Sequence, residues 1–378
     1  MRTLLLKLGR LHWPLLFLTL ALCVASVFFV YSATYFSEGN EFHNAWLSQI
    51  FWLGVGLGVF FVIALVDYHF WIEQGPLFFA GVFALLLAVL AIGIRVYGAK
   101  RWISLGPIGL QPSELEKLSF ILMLAWLLCR VRERGFKLCL LVGGLIMLPA
   151  GLILLQPDLG SASVLFPVAL AMLYVAGLKK RYLLLPLLAV VAVVLYTYIG
   201  VHKLGWTIPG LKPYQMARIR TFYDPSLDPL NRGWTINQSL IAIGSGGFEG
   251  KGYLKGTQNM LGFLPRNISY TDFIFAVVGE DWGFRGAGLV IAALSALILL
   301  SVHVAHEAED NAGALLATGV AAMLFTHFFV NVGMTIKVVP ITGIPLPFIS
   351  YGGTFMVICL ASVGMVQSVW IHRRMRSD

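Results

Sequence analysis

Charge is what this chain has least of. Asp, Glu, Lys and Arg together make up 12% of its 378 residues, where soluble domains carry about 25%. By contrast 58% of the residues are hydrophobic, and the mean hydropathy is +0.83. So few charged side chains cannot cover a water-facing globule of this length, which excludes an ordinary soluble enzyme. The same composition excludes disordered, collagen-like and coiled-coil chains. Cysteine is scarce as well. Cys23, Cys129, Cys139 and Cys359 lie in or beside apolar runs without metal-like spacing, so they read as small membrane-buried hydrophobes and no structural disulfide is expected. Nor is there an internal repeat strong enough for the inverted halves of a secondary transporter.

Long apolar runs are what the chain has instead. Segments at about 14–33, 48–66, 76–94, 113–130, 138–155, 159–178, 182–201, 284–304, 312–336 and 350–371 are each long enough to cross a bilayer, which takes ~20 residues. The composition thus predicts an all-α polytopic membrane protein of about ten transmembrane helices, forming one domain over 1–378. The net charge of +9 does not indicate nucleic acid, because the basic residues sit at helix ends. Arg2, Lys7 and Arg10 precede the first run; Arg130, Arg132, Arg134 and Lys137 follow the fourth; Lys179, Lys180 and Arg181 follow the sixth; Arg373, Arg374 and Arg376 close the chain. The alternate connections hold fewer: none at 34–47, then Arg95, Lys100 and Arg101, and at the last Lys337. By the positive-inside rule both termini are cytoplasmic and the connection after the seventh span faces outward. The basic start resembles a signal peptide, but its apolar run continues too far and is read as a retained first helix.

That seventh connection, about 202–283, is the one large extramembrane piece. A loop so long is more often functional than a linker. Its alternation of basic and apolar residues at 214–222 and the apolar stretch at 237–243 predict short interfacial helices. The glycine-rich string Gly244-Ser245-Gly246-Gly247-Phe248-Glu249-Gly250-Lys251-Gly252 matches no phosphate-binding pattern and reads as a tight, close-packed turn.

Ionisable groups at membrane depth are functional-site candidates by default. In Gln111-Pro112-Ser113-Glu114-Leu115-Glu116-Lys117, proline fits a helix's first turn, and Glu114 and Lys117 fall on one face. They form either a structural ion pair or the lining of an outward polar cavity. Asp158, in Gln156-Pro157-Asp158-Leu159-Gly160, suits a helix N-cap at least as well as a metal or substrate ligand. His327 and Asn331 should share a helix face, and an interhelical hydrogen bond is the commoner role there. His303, His306 and Glu307 offer metal-type ligands in a charged turn, which alone is weak support for a metal. Asp272, just ahead of an apolar run in Thr271-Asp272-Phe273-Ile274-Phe275, is either a helix cap or a base at the membrane surface.

Taken in order, these strings resemble the SEDS family (shape, elongation, division and sporulation) over nearly the whole chain. The resemblance runs through Gly98-Ala99-Lys100-Arg101-Trp102, the Gln111 and Gln156 strings, Arg218, Asp224-Pro225, Asp228-Pro229, Gln238-Ser239, the glycine-rich turn and Gly256-Thr257-Gln258. It continues through Phe263-Leu264-Pro265, the Thr271 string, Asn331-Val332-Gly333 and Thr342-Gly343-Ile344-Pro345-Leu346-Pro347-Phe348-Ile349-Ser350-Tyr351-Gly352-Gly353. Two departures stand out. Five residues instead of the usual three separate Leu264-Pro265 from Thr271-Asp272. Asp281 and Thr354 stand where Glu and Ser are common. The short N-terminal tail and the Gly-Lys-Gly and Gly-Thr-Gln strings favour the elongation branch over the division branch.

The resemblance implies a multi-pass protein of the bacterial cytoplasmic (inner) membrane. Its implied activity is a glycosyltransferase polymerising lipid II into peptidoglycan on the outer face, with a class B penicillin-binding protein of the elongation machinery as partner. It assigns Asp272 as general base toward the acceptor hydroxyl, inverting the sugar linkage as polyprenyl pyrophosphate leaves. Arg101, Lys117, Arg218 and Lys337 are candidates for steadying the leaving charge, with Glu114 orienting Lys117. A divalent cation, magnesium or manganese, is a further candidate, with acidic groups such as Asp158 as its holders, although the sequence displays no metal site. Two other readings compete: a lipid II flippase, and a non-catalytic scaffold that activates the penicillin-binding protein.

Overall fold

The computed structural model describes residues 7–37, 43–96, 99–106, 108–208 and 213–373. Arg2, Gly98, Arg374 and Arg376 lie outside the described residues. Helix α1 (Trp13–Thr34) opens on His12, whose ring Nδ1 accepts from Leu15 N at 3.2 Å, satisfying one of the donors a helix start leaves free. Then follow α2 (Ala45–Leu65), α3 (Tyr68–Glu73), α4 (Gly75–Ile92), α5 (Pro112–Arg130), α6 (Phe136–Leu155), α7 (Leu159–Val175) and α8 (Lys180–Leu195), which runs into a π-helical stretch at Tyr196–Lys203. The large connection folds into α9 (Pro213–Tyr223), α10 (Arg232–Gly246), α11 (Thr257–Met260) and α12 (Arg266–Ser269). The last three long helices are α13 (Ile274–His306), α14 (Asn311–Thr335) and α15 (Gly353–His372).

Among the described residues eight helices are long and apolar enough to cross a membrane. The other two predicted crossings are α5, whose first turns carry Glu114, Glu116 and Lys117, and α7, which is 17 residues long. Helices α9 and α10 cover the two stretches of the large connection where short helices were expected. All four cysteines are free, Cys129 being exposed rather than buried.

Two features depart from the sequence reading. Residues 94–110, expected as a plain loop, form a three-stranded antiparallel sheet of β1 (Ile94–Val96), β2 (Ala99–Leu105) and β3 (Ile108–Leu110). The segment is too short and mixed for periodicity to reveal, and its pairing depends on both ends being anchored by α4 and α5. The eighth predicted crossing also begins ten residues early, at Ile274, because two helical stretches join across Gly283 at φ +63°. Such a break frees backbone donors, and the glycine-rich turn takes them. Phe284 N donates to Gly247 O at 2.9 Å and Arg285 N to Phe248 O at 3.1 Å. Glu280 in turn accepts from Lys251 Nζ at 2.6 Å and Gln258 N at 2.8 Å. The glycines therefore pack a turn against a helix kink, as expected.

Helix α15 is the centre of the bundle: 89% of its most apolar window is buried, against 12% for the rim helix running from Lys180 to Lys203. It presses on α2 at Gly364, where a Cβ would stand 2.8 Å from Phe60 O. Small residues at such crossings let backbones close in without a water-driven hydrophobic force. At the end of the bundle carrying the 307–310 turn, Asp310 caps α14 through Gly313 N at 2.8 Å. It also accepts from Tyr68 Oη at 3.0 Å and contacts His69 Nε2 at 2.9 Å, while His69 Nδ1 meets Asp67 at 2.8 Å. Burial would lower the His69 pKa, but the Asp67 and Asp310 carboxylates outweigh it and hold the ring above its ordinary value.

Candidate active site

At the end of the bundle carrying the large connection, a cavity of about 450 Å³ lies between β2, the start of α5, the α6–α7 junction, the segment leading into α13 and the 343–353 loop. Its wall holds four of the sequence candidates: Arg101, Glu114, Asp158 and Asp272. Aromatic side chains complete it. Trp52, Trp102, Tyr270 and Tyr351 all face the space, giving flat apolar surface beside charged groups, a lining suited to a sugar.

Asp158 is 5% exposed and caps α7, accepting from Ser161 N at 3.1 Å and Ser161 Oγ at 3.0 Å. The cap expected from sequence is therefore present. Gln111 Nε2 reaches its Oδ2 at 3.4 Å, and Arg101 Nη1 stands 3.9 Å from the same atom. Arg101 is fixed by donating Nε to Gln156 O at 2.9 Å and Nη2 to Pro157 O. Two carbonyls and a carboxylate thus hold a guanidinium at the cavity edge, one that remains 27% exposed and open to an anion.

Asp272 does not cap α13. Phe273 is the residue at that position, and no side chain bonds back to the helix start. Asp272 is instead half-buried in the cavity wall, and desolvation together with the Asp158 charge pushes its carboxyl up to about 6, against partial compensation by Arg101 and Arg218. A carboxylate with a pKa close to neutral is a stronger base than an ordinary Asp and still ionised at pH 7.

Below the cavity, Glu114 and Lys117 form the predicted pair, with Lys117 Nζ 2.8 Å from each carboxylate oxygen. The third ammonium proton points to His327 Nε2 at 3.0 Å, and the ring's Nδ1 faces Pro345 O at 3.2 Å. A lysine has three donors, so this one is fully engaged, and it does not line the cavity among the described residues. Its ammonium is turned to Glu114 and to His327, whose other ring nitrogen faces the 343–353 loop. Arg218, on α9, is partly buried and close enough for its charge to act on Asp272. Lys337 is not brought to the cavity; it follows α14 at φ +60°, within electrostatic reach of Asp224. Its place outside the wall follows from the turn ending α14, which sequence spacing does not reveal.

No group of three or more His, Cys, Asp or Glu side chains is placed to hold a metal ion among the described residues, at the cavity or around His303 and His306. Sequence reasoning passed over Trp52 and Tyr351, whose only signal is aromatic character near the bundle end. Tyr351 stands within the 342–353 string that carries the family resemblance.

The cell cycle protein family comprising FtsW, RodA and SpoVE matches residues 13–375. The chain belongs to that family. Its FtsW/RodA/SpoVE relatives include the peptidoglycan glycosyltransferase RodA of Treponema pallidum, 34% identical over 94% of this chain and 96% of that protein. The peptidoglycan glycosyltransferase MrdB of Escherichia coli K12 is 35% identical over 96% of this chain and 94% of that protein. Among solved structures, a chain from a peptidoglycan synthase complex that coordinates polymerization and crosslinking aligns with TM-score 0.81 at 30% identity, covering 97% of this chain and 99% of that one. Rod shape determining protein RodA of Thermus thermophilus aligns with TM-score 0.69 at 26% identity, covering 97% and 98%. The protein is a multi-pass member of the inner membrane, as its helices and family require.

Proposed function

We infer that this protein is a peptidoglycan glycosyltransferase of cell elongation that polymerises lipid II on the outer face of the cytoplasmic membrane, with Asp272 as general base. The single observation that carries the reading is the placement of Asp272. A carboxyl raised to about 6 shares one aromatic-walled cavity with the exposed edge of Arg101, in a chain whose curated relatives are named peptidoglycan glycosyltransferases.

The chemistry follows from that pairing. The acceptor's sugar hydroxyl oxygen attacks the donor's anomeric carbon, and its proton passes to the Asp272 carboxylate. The bond from that carbon to the pyrophosphate oxygen breaks, and polyprenyl pyrophosphate leaves with the electron pair from the opposite face, so the linkage inverts. The leaving group carries its charge well, so cationic support outweighs acid catalysis. Arg101 and Arg218 supply that support, while Glu114, Lys117 and Asp158 fix the walls. The apolar helix faces keep the polyprenyl tail in the bilayer. A class B penicillin-binding protein that crosslinks the product strands is the partner this reading calls for; the alignment with a synthase-complex chain supports such an assembly.

The test is polymer formation from labelled lipid II by the protein purified with its cognate penicillin-binding protein, transpeptidation being blocked by a β-lactam. Wild type should polymerise and Asp272→Asn should fall by ~10²–10⁴-fold while still binding its partner. Equal polymer from both would remove Asp272 from the mechanism. No polymer from either would turn the reading toward a flippase or scaffold.

A further inference from the structure

Three consecutive residues leading toward α13, Tyr270, Thr271 and Asp272, each give up their backbone carbonyl to a donor from farther along the chain. Tyr270 O accepts from Tyr351 N at 2.9 Å, Thr271 O from Ser350 Oγ at 2.5 Å, and Asp272 O from Asn331 Nδ2 at 2.9 Å. Asn331 is fully buried and spends its second N–H on Ile344 O at 2.7 Å. A side-chain amide has two N–H donors, and here each holds one side of the same gap: the Asp272 backbone and the 342–346 loop. One turn earlier on α14, His327 faces the next carbonyl, Pro345 O. Ser350, also fully buried, ties its own loop by accepting from Leu346 N at 2.8 Å.

We propose that Asn331 is a positioning residue for the glycosyl transfer, its two donors clamping the Asp272 backbone to the 342–346 loop so that the carboxylate points at the acceptor hydroxyl. This rests on the proposed role of Asp272. The side chain of Asp272 is short and precedes a helix without a side-chain cap, so the position of its backbone decides where its oxygens sit. A shift of about 1 Å at a reacting group lowers a rate far more than it weakens binding. Asn331 is not among the residues lining the cavity and acts through the Asp272 backbone and the loop it holds against it.

The experiment compares wild type, Asn331→Leu and Ser350→Ala, each purified with the partner. Initial polymerisation rates are measured against lipid II concentration from pH 5 to 8, alongside melting temperature. Leucine keeps the heavy-atom count and branching of the Asn331 side chain, is somewhat larger, and removes both donors. Its kcat should fall about tenfold or more with KM held within about threefold. The acid limb of the profile should also move to lower pH, because a released carboxylate escapes both burial and the field of Asp158 into water. It also leaves the weaker, opposing fields of Arg101 and Arg218, so the release from burial, the largest cause of the raised pKa, sets the direction. A rate that falls only in proportion to folded protein, with the acid limb unmoved, would assign Asn331 a merely structural role and overturn the proposal. Unchanged kcat would overturn it too. Should Asn331→Leu not fold, Ser350→Ala, which removes the Thr271 link together with the acceptor for Leu346 N and leaves both Asn331 donors in place, is read by the same criteria: a smaller kcat loss with the same limb movement supports the clamp, and wild-type behaviour sinks it. Absence of polymer from wild type is a different result, since it overturns the glycosyltransferase reading itself.

Discussion

Gly343 lies directly against Asp272: at φ +76°, a Cβ built on its backbone would stand 3.2 Å from the Asp272 Oδ2 atom. Glycine is required there twice over, for the left-handed backbone and for the room its missing side chain leaves. The loop that carries it also supplies Ile344 O and Pro345 O to Asn331 and His327, so the carboxylate and its neighbours form one packed unit.

Gly343→Ala is therefore expected to impair catalysis more than stability. The left-handed conformation costs a β-carbon ~1–2 kcal/mol, a modest loss for a bundle of this size, whereas the methyl displaces Asp272. Polymerisation kinetics and a thermal melt on the same preparation check this. A variant with lowered melting temperature and unchanged kcat would contradict it.

The rate of polymerisation should rise with pH through about 6, where Asp272 ionises, rather than near the 3.8 of an ordinary Asp carboxyl. Arg101 favours the carboxylate, so Arg101→Gln should carry the acid limb to higher pH. The linked stability effect has a definite sign. A carboxyl raised in the fold stabilises it while protonated, a contribution complete below the ordinary value and lost as pH rises through about 6. Profiles of kcat/KM for wild type and Arg101→Gln decide the matter, and coincident limbs would count against it.

Lys117→Met should be strongly destabilising, by about 3–5 kcal/mol, because it leaves Glu114, only 3% exposed, without its counter-ion. Adding Glu114→Gln should recover much of that loss, since the burden is the unpaired charge and not the missing bond. Melting temperatures of the two single variants and the double variant form the cycle; additive losses would mean that the two residues act independently.

At the other end of the bundle, His69 between Asp67 and Asp310 should make stability weakly pH-dependent. Its raised pKa means that the charged ring stabilises the fold below the ordinary histidine value, an effect lost as pH rises through the higher folded value. Half of the side chain is exposed, so solvent screening limits the contribution to at most ~1 kcal/mol. His69→Gln should lower the melting temperature at pH 6 and leave it nearly unchanged at pH 8.5, and an equal drop at both would show that the ring acts by packing alone.

That the chain is a bundle of long apolar helices was legible from hydropathy, eight of the ten expected runs being long and apolar enough to cross a membrane among the described residues, because a crossing demands an uninterrupted apolar run whatever its neighbours do. The Glu114–Lys117 pair was equally legible, since residues three apart on a helix must share a face, and so was Asp158 as a cap. The sheet at 94–110 was not, because its strands are short and pair only once α4 and α5 bring their ends together. Nor was the early start of α13, whose break at Gly283 persists because the distant glycine-rich turn takes its freed donors.

The sequence by itself determined that the protein lives in a bilayer, roughly where its long apolar runs lie, and which ionisable residues have no business in lipid. Each of those follows from local composition and spacing. Only the tertiary structure decided which of these residues meet. It placed Asp272, Arg101 and Asp158 around one cavity, engaged Lys117 wholly with Glu114 and His327, and left Lys337 outside. It also set Asn331 between two carbonyls whose owners lie 59 and 13 residues away in the chain. Those outcomes rest on long-range packing, in which buried donors and acceptors must find one another wherever the fold brings them together.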